Sequence, residues 1–181
     1  MIFTIGHGSR SIEEFIGTLR QANIARLVDV RAFPGSRRHP RFGREALEKS
    51  VAENGMQYLW EGKALGGRRK PKPGSPHVAL RNESFRAYAD HMQSEEFATA
   101  VQRLVTLSAD ANVAIMCAER LPWQCHRFLI ADFLTGHGNP VNHLINEGKM
   151  QEHRLNSIAK VHADELIYNG EAQLELEAPE K

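Results

Sequence analysis

The chain predicts an α/β fold: a single domain on an open, parallel, doubly wound (Rossmann-like) sheet of about five strands with flanking helices. Two observations carry this. Short continuous apolar runs of strand length alternate with segments of helical period, and continuous runs mark strands covered on both faces, the environment of a parallel sheet with right-handed crossovers. The 181 residues, 41% of them hydrophobic, suffice for one well-buried core but not for two ordinary domains or the eight units of a closed barrel.

The elements follow in order. Ile2-Phe3-Thr4-Ile5 is a strand, ended by Gly6-His7-Gly8. Ser11 and Glu14 have capping-box spacing, and Ile12, Phe15, Ile16 and Leu19 make one apolar helix face. Leu27 to Val30 is the second strand; a basic loop, RAFPGSRRHPRFG, leads to a helix over 44–53 that Asn54-Gly55 closes. Met56 to Trp60 is the third strand, and EGKALGGRRKPKPGSPHVALRN has the Gly and Pro density of a long loop. From Ser84 come two helices or one kinked helix, restarting at Ser94. Val113 to Met116, Phe128 to Leu134 and Pro140 to Ile145 are then strand, helix and fifth strand. The domain is expected over residues 1–165, with 166–181 an acidic, mobile tail.

Charge is segregated along the chain. Residues 31–72 carry eleven Arg/Lys against four Glu, whereas residues 164–181 carry six acids against one Lys. The basic stretch is mixed with Gly, Pro and aromatics and does not ride a helix, which fits a surface for phosphate or another anion. No apolar run approaches the roughly 18 to 20 residues of a membrane span, and MIFTIGHGSR lacks a signal-peptide pattern, so a cytoplasmic protein without a membrane partner is expected. Its two cysteines should then be reduced thiols.

In an open parallel sheet, ligands bind beyond the carboxyl ends of the strands. His7 and Ser9 follow the first strand; Arg31, Ser36 and Arg37 the second; Gly66-Gly67 the third, with Tyr58 inside it; Cys117, Glu119, Cys125, His126 and Arg127 the fourth. A shared site is therefore expected. Cys125 and Arg127 stand where a helix begins, and a thiolate there is favoured by the helix N-terminus and the arginine charge. Both cysteines are equally readable as small core residues. A metal set of Cys117, Cys125 and His126 with His7 or His143 matches none of the familiar zinc spacings, so no metal and no cofactor is expected.

The strand–cysteine loop–helix layout resembles that of rhodaneses and cysteine phosphatases, and LVDVR is similar to the aspartate-arginine strand end of rhodaneses; Arg127 lies ten residues after Cys117, where those enzymes place the arginine about six after. Taken together, TIGHGSRSIEEF, LVDVRAFPGSRRHPRF, MQYLWEGKALGG, FRAYADHM, AIMCAERLPWQCHRFLIADFL and PVNHL resemble the domain of unknown function 488 family over roughly residues 1–146. The resemblance implies an α/β domain whose signature positions here are His7, Ser9, Arg31, Ser36, Arg37, Tyr58, Leu65-Gly66-Gly67, Cys117, Glu119 and Cys125-His126-Arg127. It implies a fold rather than a reaction.

Two classes of function follow. One is an enzyme, a transferase or hydrolase acting on a phosphate-bearing or nucleotide-like small molecule, with Arg31, Arg37 and Arg127 on the anion, Glu119 and His126 in acid–base roles and Cys117 as nucleophile; a rhodanese-like sulfurtransferase is its narrower form. The other is a nucleic-acid-binding module that stacks bases on Phe33, Phe42, Tyr58 or Trp60. A carboxylate repels phosphate, so Glu119 beside two thiols favours the enzyme. Oligomeric state is not readable.

Overall fold

The computed structural model describes residues 1–35 and 39–170. Its strands are β1 (Ile2–Gly6), β2 (Ile24–Asp29), β3 (Gln57–Trp60), β4 (Asn112–Cys117), β5 (Val141–Asn146), β6 (Lys149–Glu152), β7 (Ala159–His162) and β8 (Glu165–Tyr168). Its helices are α1 (Ile12–Gln21), α2 (Arg44–Glu53), α3 (Gly62–Leu65), α4 (Glu83–Met92), α5 (Glu95–Leu107) and α6 (Arg127–Gly136). One sheet has the order β3-β2-β4-β1-β5-β6, parallel from β3 through β5 with β6 antiparallel at the edge; β7 and β8 form a separate hairpin.

Alternation along the strands sends side chains to two cores. Phe3, Ile5, Leu27, Ala114 and Met116 join Phe15 and Leu19 of α1 and Leu47 and Val51 of α2. Ile2, Val28, Val113 and Ile115 face the other way, against Tyr88 of α4, Phe97 and Leu104 of α5, and Leu129 and Ile130 of α6. Truncating one of these fully buried aliphatics, such as Leu27 or Ile115, costs about 2–5 kcal/mol. Local sequence sets the helix starts. Ser11 and Glu14 close the capping box at 3.1 and 2.9 Å, and Asn82 and Ser94 cap α4 and α5, which are two helices rather than one kinked helix.

The winding places the site. From β1 the chain passes through α1 to β2 and through α2 to β3 on one face; from β3 it returns through α3, α4 and α5 to β4, and through α6 to β5, on the other. Neighbouring strands β1 and β4 therefore send their connections to opposite faces, which opens a crevice at their carboxyl ends.

Three readings change. The long loop after β3 carries α3, whose Leu65 is fully buried. Strands β6, β7 and β8 were not expected. The boundary expected at residue 165 falls inside β8, where Leu166 and Tyr168 are buried; residues 171–181 lie outside the described residues. Among the described residues no helix is long and apolar enough to cross a membrane.

Candidate functional site around Cys117 and Cys125

The crevice holds a cleft of about 280 Å³ lined by Arg31, Phe33, Gly67, Arg68, Cys117, Glu119, Cys125 and His126, among others. It is assembled from the ends of β2 and β4, the segment after α3 and the start of α6. Main-chain bonds seat the Cys117 loop against β1: His7 N–H donates to Cys117 O at 3.1 Å and Gly8 N–H to Ala118 O at 2.8 Å. Gly6 is obligatory there, since a Cβ would overlap the Glu119 carbonyl. Arg127, 1% exposed, braces the loop from inside, donating to Glu119 O at 2.5 Å and Arg120 O at 2.8 Å.

The loop brings both sulfurs together. The donor atoms of Cys117, Cys125 and His126 lie within 4.8 Å of one another, with His126 Nδ1 3.5 Å from Cys125 Sγ and 4.0 Å from Cys117 Sγ. Both thiols are free and buried at the cleft floor. The neighbouring Cys125 thiol, joined by His126 and the Arg127 charge, holds the Cys117 thiol well below its ordinary range, against the burial that opposes it. Burial, then the neighbouring Cys117 sulfur, pushes Cys125 well above. The two sulfurs therefore titrate as a pair, with Cys117 the one favoured toward the thiolate. Gly67 lets the chain pass over the imidazole, since a Cβ there would stand 2.5 Å from His126 Nδ1.

Asp29 and Arg31 are two apart on extended chain and meet as a buried ion pair: Arg31 Nε donates to Oδ1 at 2.9 Å and Nη2 to Oδ2 at 2.6 Å, while the Arg31 N–H adds a bond at 3.0 Å. Tyr58 O–H also donates to Oδ2, at 2.7 Å, and burial with the Asp29 charge raises its pKa. Arg31 borders the cleft with its guanidinium already engaged. His7 stacks on Phe42 at 4.4 Å, and burial lowers it to about 4, so it is neutral at pH 7.

Of the residues singled out from sequence, Arg31, Gly67, Cys117, Glu119, Cys125 and His126 line the cleft; His7, Ser9, Tyr58, Gly66 and Arg127 do not. Ser9 is exposed, and Gly66 packs against Gly62 and Ala32. The expectation that Arg127 faces an anion is corrected by its burial against two carbonyls. Ser36 and Arg37 lie outside the described residues. Phe42 is buried under His7, and Trp60 Nε1–H donates to Arg31 O at 2.9 Å under the Arg44 guanidinium, which leaves Phe33, 71% exposed, as the cleft's aromatic from that group. Arg68 was not singled out; its guanidinium lies 5.3 Å from the Phe33 ring centroid.

The three donors are spaced for a thiophilic ion, a grouping the sequence spacing had argued against. His126 Nε2, however, has no hydrogen-bond partner, whereas a metal-bound imidazole ordinarily anchors its second nitrogen.

The family model of Domain of unknown function DUF488 matches residues 11–134, which cover the cleft and both cysteines. The chain belongs to that family. No curated protein and no solved structure matches it.

Proposed function

We propose that this member of the DUF488 family is a thiol-dependent enzyme, a transferase or hydrolase, in which Cys117 is the nucleophile toward a phosphate-bearing or nucleotide-like substrate. One observation carries the reading: the Cys117 and Cys125 sulfurs and the His126 ring lie with their donor atoms within 4.8 Å of one another at the floor of a cleft on the sheet's switch point, surroundings that favour the Cys117 thiolate. His126 Nδ1 reaches both sulfurs and can move a proton between thiol and leaving group. Glu119, exposed on the cleft lining, would serve as acid or base for a group bound above Cys117. Recognition would fall to Phe33 and Arg68, a flat face and a free-standing charge, with Arg31 setting the wall.

Exposed Phe33 and Arg68 also favour the second reading, a nucleic-acid-binding module without catalysis. Iodoacetamide labelling against pH, on reduced, metal-free wild-type protein with the labelled cysteine identified by peptide mapping, separates the two. The enzyme reading expects Cys117 to label at pH 7 faster than a free small thiol and to remain reactive below it; labelling no faster than a free thiol would overturn it. A thermal-shift panel of nucleotides, sugar phosphates and short nucleic acids then identifies the ligand class. Nucleic-acid binding that persists in Cys117→Ser alongside slow labelling would establish the module.

A further inference from the structure

Covalent catalysis through Cys117 needs one sulfur, yet the loop brings two to the cleft floor. Cys125 is eight residues on, 3% exposed, and its sulfur lies within 4.8 Å of the Cys117 sulfur. The segment between them is held by main-chain bonds at both ends, from His7 to Cys117 and from Cys125 to Pro122, and by Arg127 in the middle. The sulfurs are therefore kept close by the fold, and uniting them requires side-chain movement with little loss of loop entropy.

We propose that Cys117 and Cys125 are a reversible two-electron redox couple, in which a hydroperoxide oxidises Cys117 and Cys125 resolves the product to an intramolecular disulfide. This rests on the reading of Cys117 as the cleft's reactive thiolate and assigns that site a regulation. In the first step the Cys117 thiolate attacks the terminal peroxide oxygen. The O–O bond breaks, the departing oxygen takes a proton to leave as alcohol or water, and Cys117 becomes a sulfenic acid. In the second, Cys125 attacks the Cys117 sulfur and the S–O bond breaks. The leaving hydroxide takes the Cys125 proton, which His126 Nδ1, 3.5 Å from that sulfur, is placed to relay, and departs as water. Two thiols have lost two electrons and the peroxide has gained them; a dithiol reverses the change by exchange.

The electrostatics order the steps. Burial and, while Cys117 is an anion, its neighbouring charge push the Cys125 thiol up. Once Cys117 is a neutral sulfenic acid, that repulsion is gone and Cys125 ionises more readily. The resolving thiol is thus released by oxidation of its neighbour, and the disulfide occupies the nucleophile and silences the site.

The test treats the full chain, reduced and stripped of metal, with hydrogen peroxide at near-stoichiometric dose. Thiols are then blocked with an alkylating agent and intact mass and peptide maps are read. Wild type should lose both alkylatable thiols and two hydrogens, give a peptide linking residues 117 and 125, and regain both thiols with dithiothreitol. Cys125→Ser should stop at the Cys117 sulfenic acid, trapped by dimedone, and proceed to sulfinic acid with excess peroxide; Cys117→Ser should do neither. The cross-linked peptide in wild type needs no variant to fold. Wild type that over-oxidises at Cys117 as fast as Cys125→Ser, with no linked peptide, overturns the couple. If reduced Cys117 still labels rapidly with iodoacetamide, only this inference falls; if it does not, the nucleophile reading falls too.

Discussion

Asp29→Asn should be among the most damaging substitutions near the cleft, because Asp29 is fully buried and accepts four hydrogen bonds, three from Arg31 and one from Tyr58. An asparagine that keeps its oxygen at the Oδ1 position still serves the Arg31 N–H and Nε. Its NH₂ group then faces Arg31 Nη2 and the Tyr58 hydroxyl. The hydroxyl can turn to accept; the guanidinium cannot. The result is a guanidinium, 7% exposed, with no compensating charge. Breaking a buried pair by removing one partner costs about 3–5 kcal/mol, a large share of the roughly 5–15 kcal/mol that holds a typical domain. Equilibrium urea unfolding at pH 7 reads it directly. Replacing both partners, Asp29→Leu with Arg31→Met, removes the orphaned charge and should recover most of the loss, since buried pairs often exchange for apolar residues at little cost. A loss under about 1 kcal/mol in Asp29→Asn, or a double variant no better than the single, would refute the view that Arg31 is committed to the scaffold and return it to the pool of ligand-binding arginines.

Gly67→Ala should push the His126 ring aside, since the new Cβ would stand 2.5 Å from Nδ1, and so slow Cys117 alkylation at pH 7 while leaving far-UV circular dichroism unchanged; unaltered kinetics would show that His126 does not tune the thiol. Gly6→Ala meets a backbone oxygen that cannot yield and should cost several kcal/mol, at least about 3 by analogy with severe overpacking, measured as lost urea stability. For pH, burial lowers His7 to about 4 and burial with His153 and Arg127 lowers His143 to about 3, both from 6.5. The folded state keeps them neutral while the unfolded chain protonates them below pH 6.5, so stability is full above that value and falls as pH drops toward 4 and 3. The slope is about 1.4 kcal/mol per pH unit for each histidine. His143→Gln should remove one such share between pH 6 and 4, and equal slopes in variant and wild type would contradict the assignment. Asp132 accepts from Tyr168 O–H and the Asn156 N–H and partners His153, each at 2.9 Å, so Asp132→Asn should disturb the bonded chain His153–His143–Thr4 and lower the thermal midpoint.

What the sequence made legible was set by burial pattern. The central strands β1 and β4 are continuous apolar runs because helices cover both faces, and α1 declared itself through Ser11, Glu14 and one apolar stripe. The later strands carry no such signal. Lys149–Glu152 is exposed throughout, so no side-chain preference marks it and only main-chain pairing with β5 makes it a strand. In β8, Leu166 and Tyr168 do alternate inward, but two buried positions in four residues are faint beside the acids that follow. Composition drew attention to the tail and away from the period.

The site was legible to the extent that its parts are side chains at strand ends. Cys117, Glu119, Cys125 and His126 converge because the parallel winding aims the end of β4 and the start of α6 at one crevice. The arginines show the boundary of that logic. An arginine beside a glycine-rich turn reads as an anion ligand because an anion is the partner one can imagine from residue type. Arg127 instead spends its guanidinium on the carbonyls of Glu119 and Arg120, and a carbonyl is carried by every residue, so no sequence marks it as an acceptor. Arg31 is different: Asp29 precedes it by two, and in extended chain residues two apart share a face, so its ion pair was written in the sequence as plainly as the cysteines were. Both arginines thus spend their charge on the protein itself, and that of Arg127 braces the Cys117 loop and favours its thiolate. On the proposed reading, the basic residues around the cysteine serve its sulfur before they serve any ligand, and holding an anion would fall to Arg68, the cleft arginine that stands exposed over Phe33. Arg68→Ala should accordingly weaken binding of a phosphate-bearing ligand without altering Cys117 alkylation in the free protein, while Arg31→Met should lower stability first. If Arg68→Ala slows alkylation as much as it weakens binding, the division between charge that builds the thiolate and charge that meets the substrate is wrong.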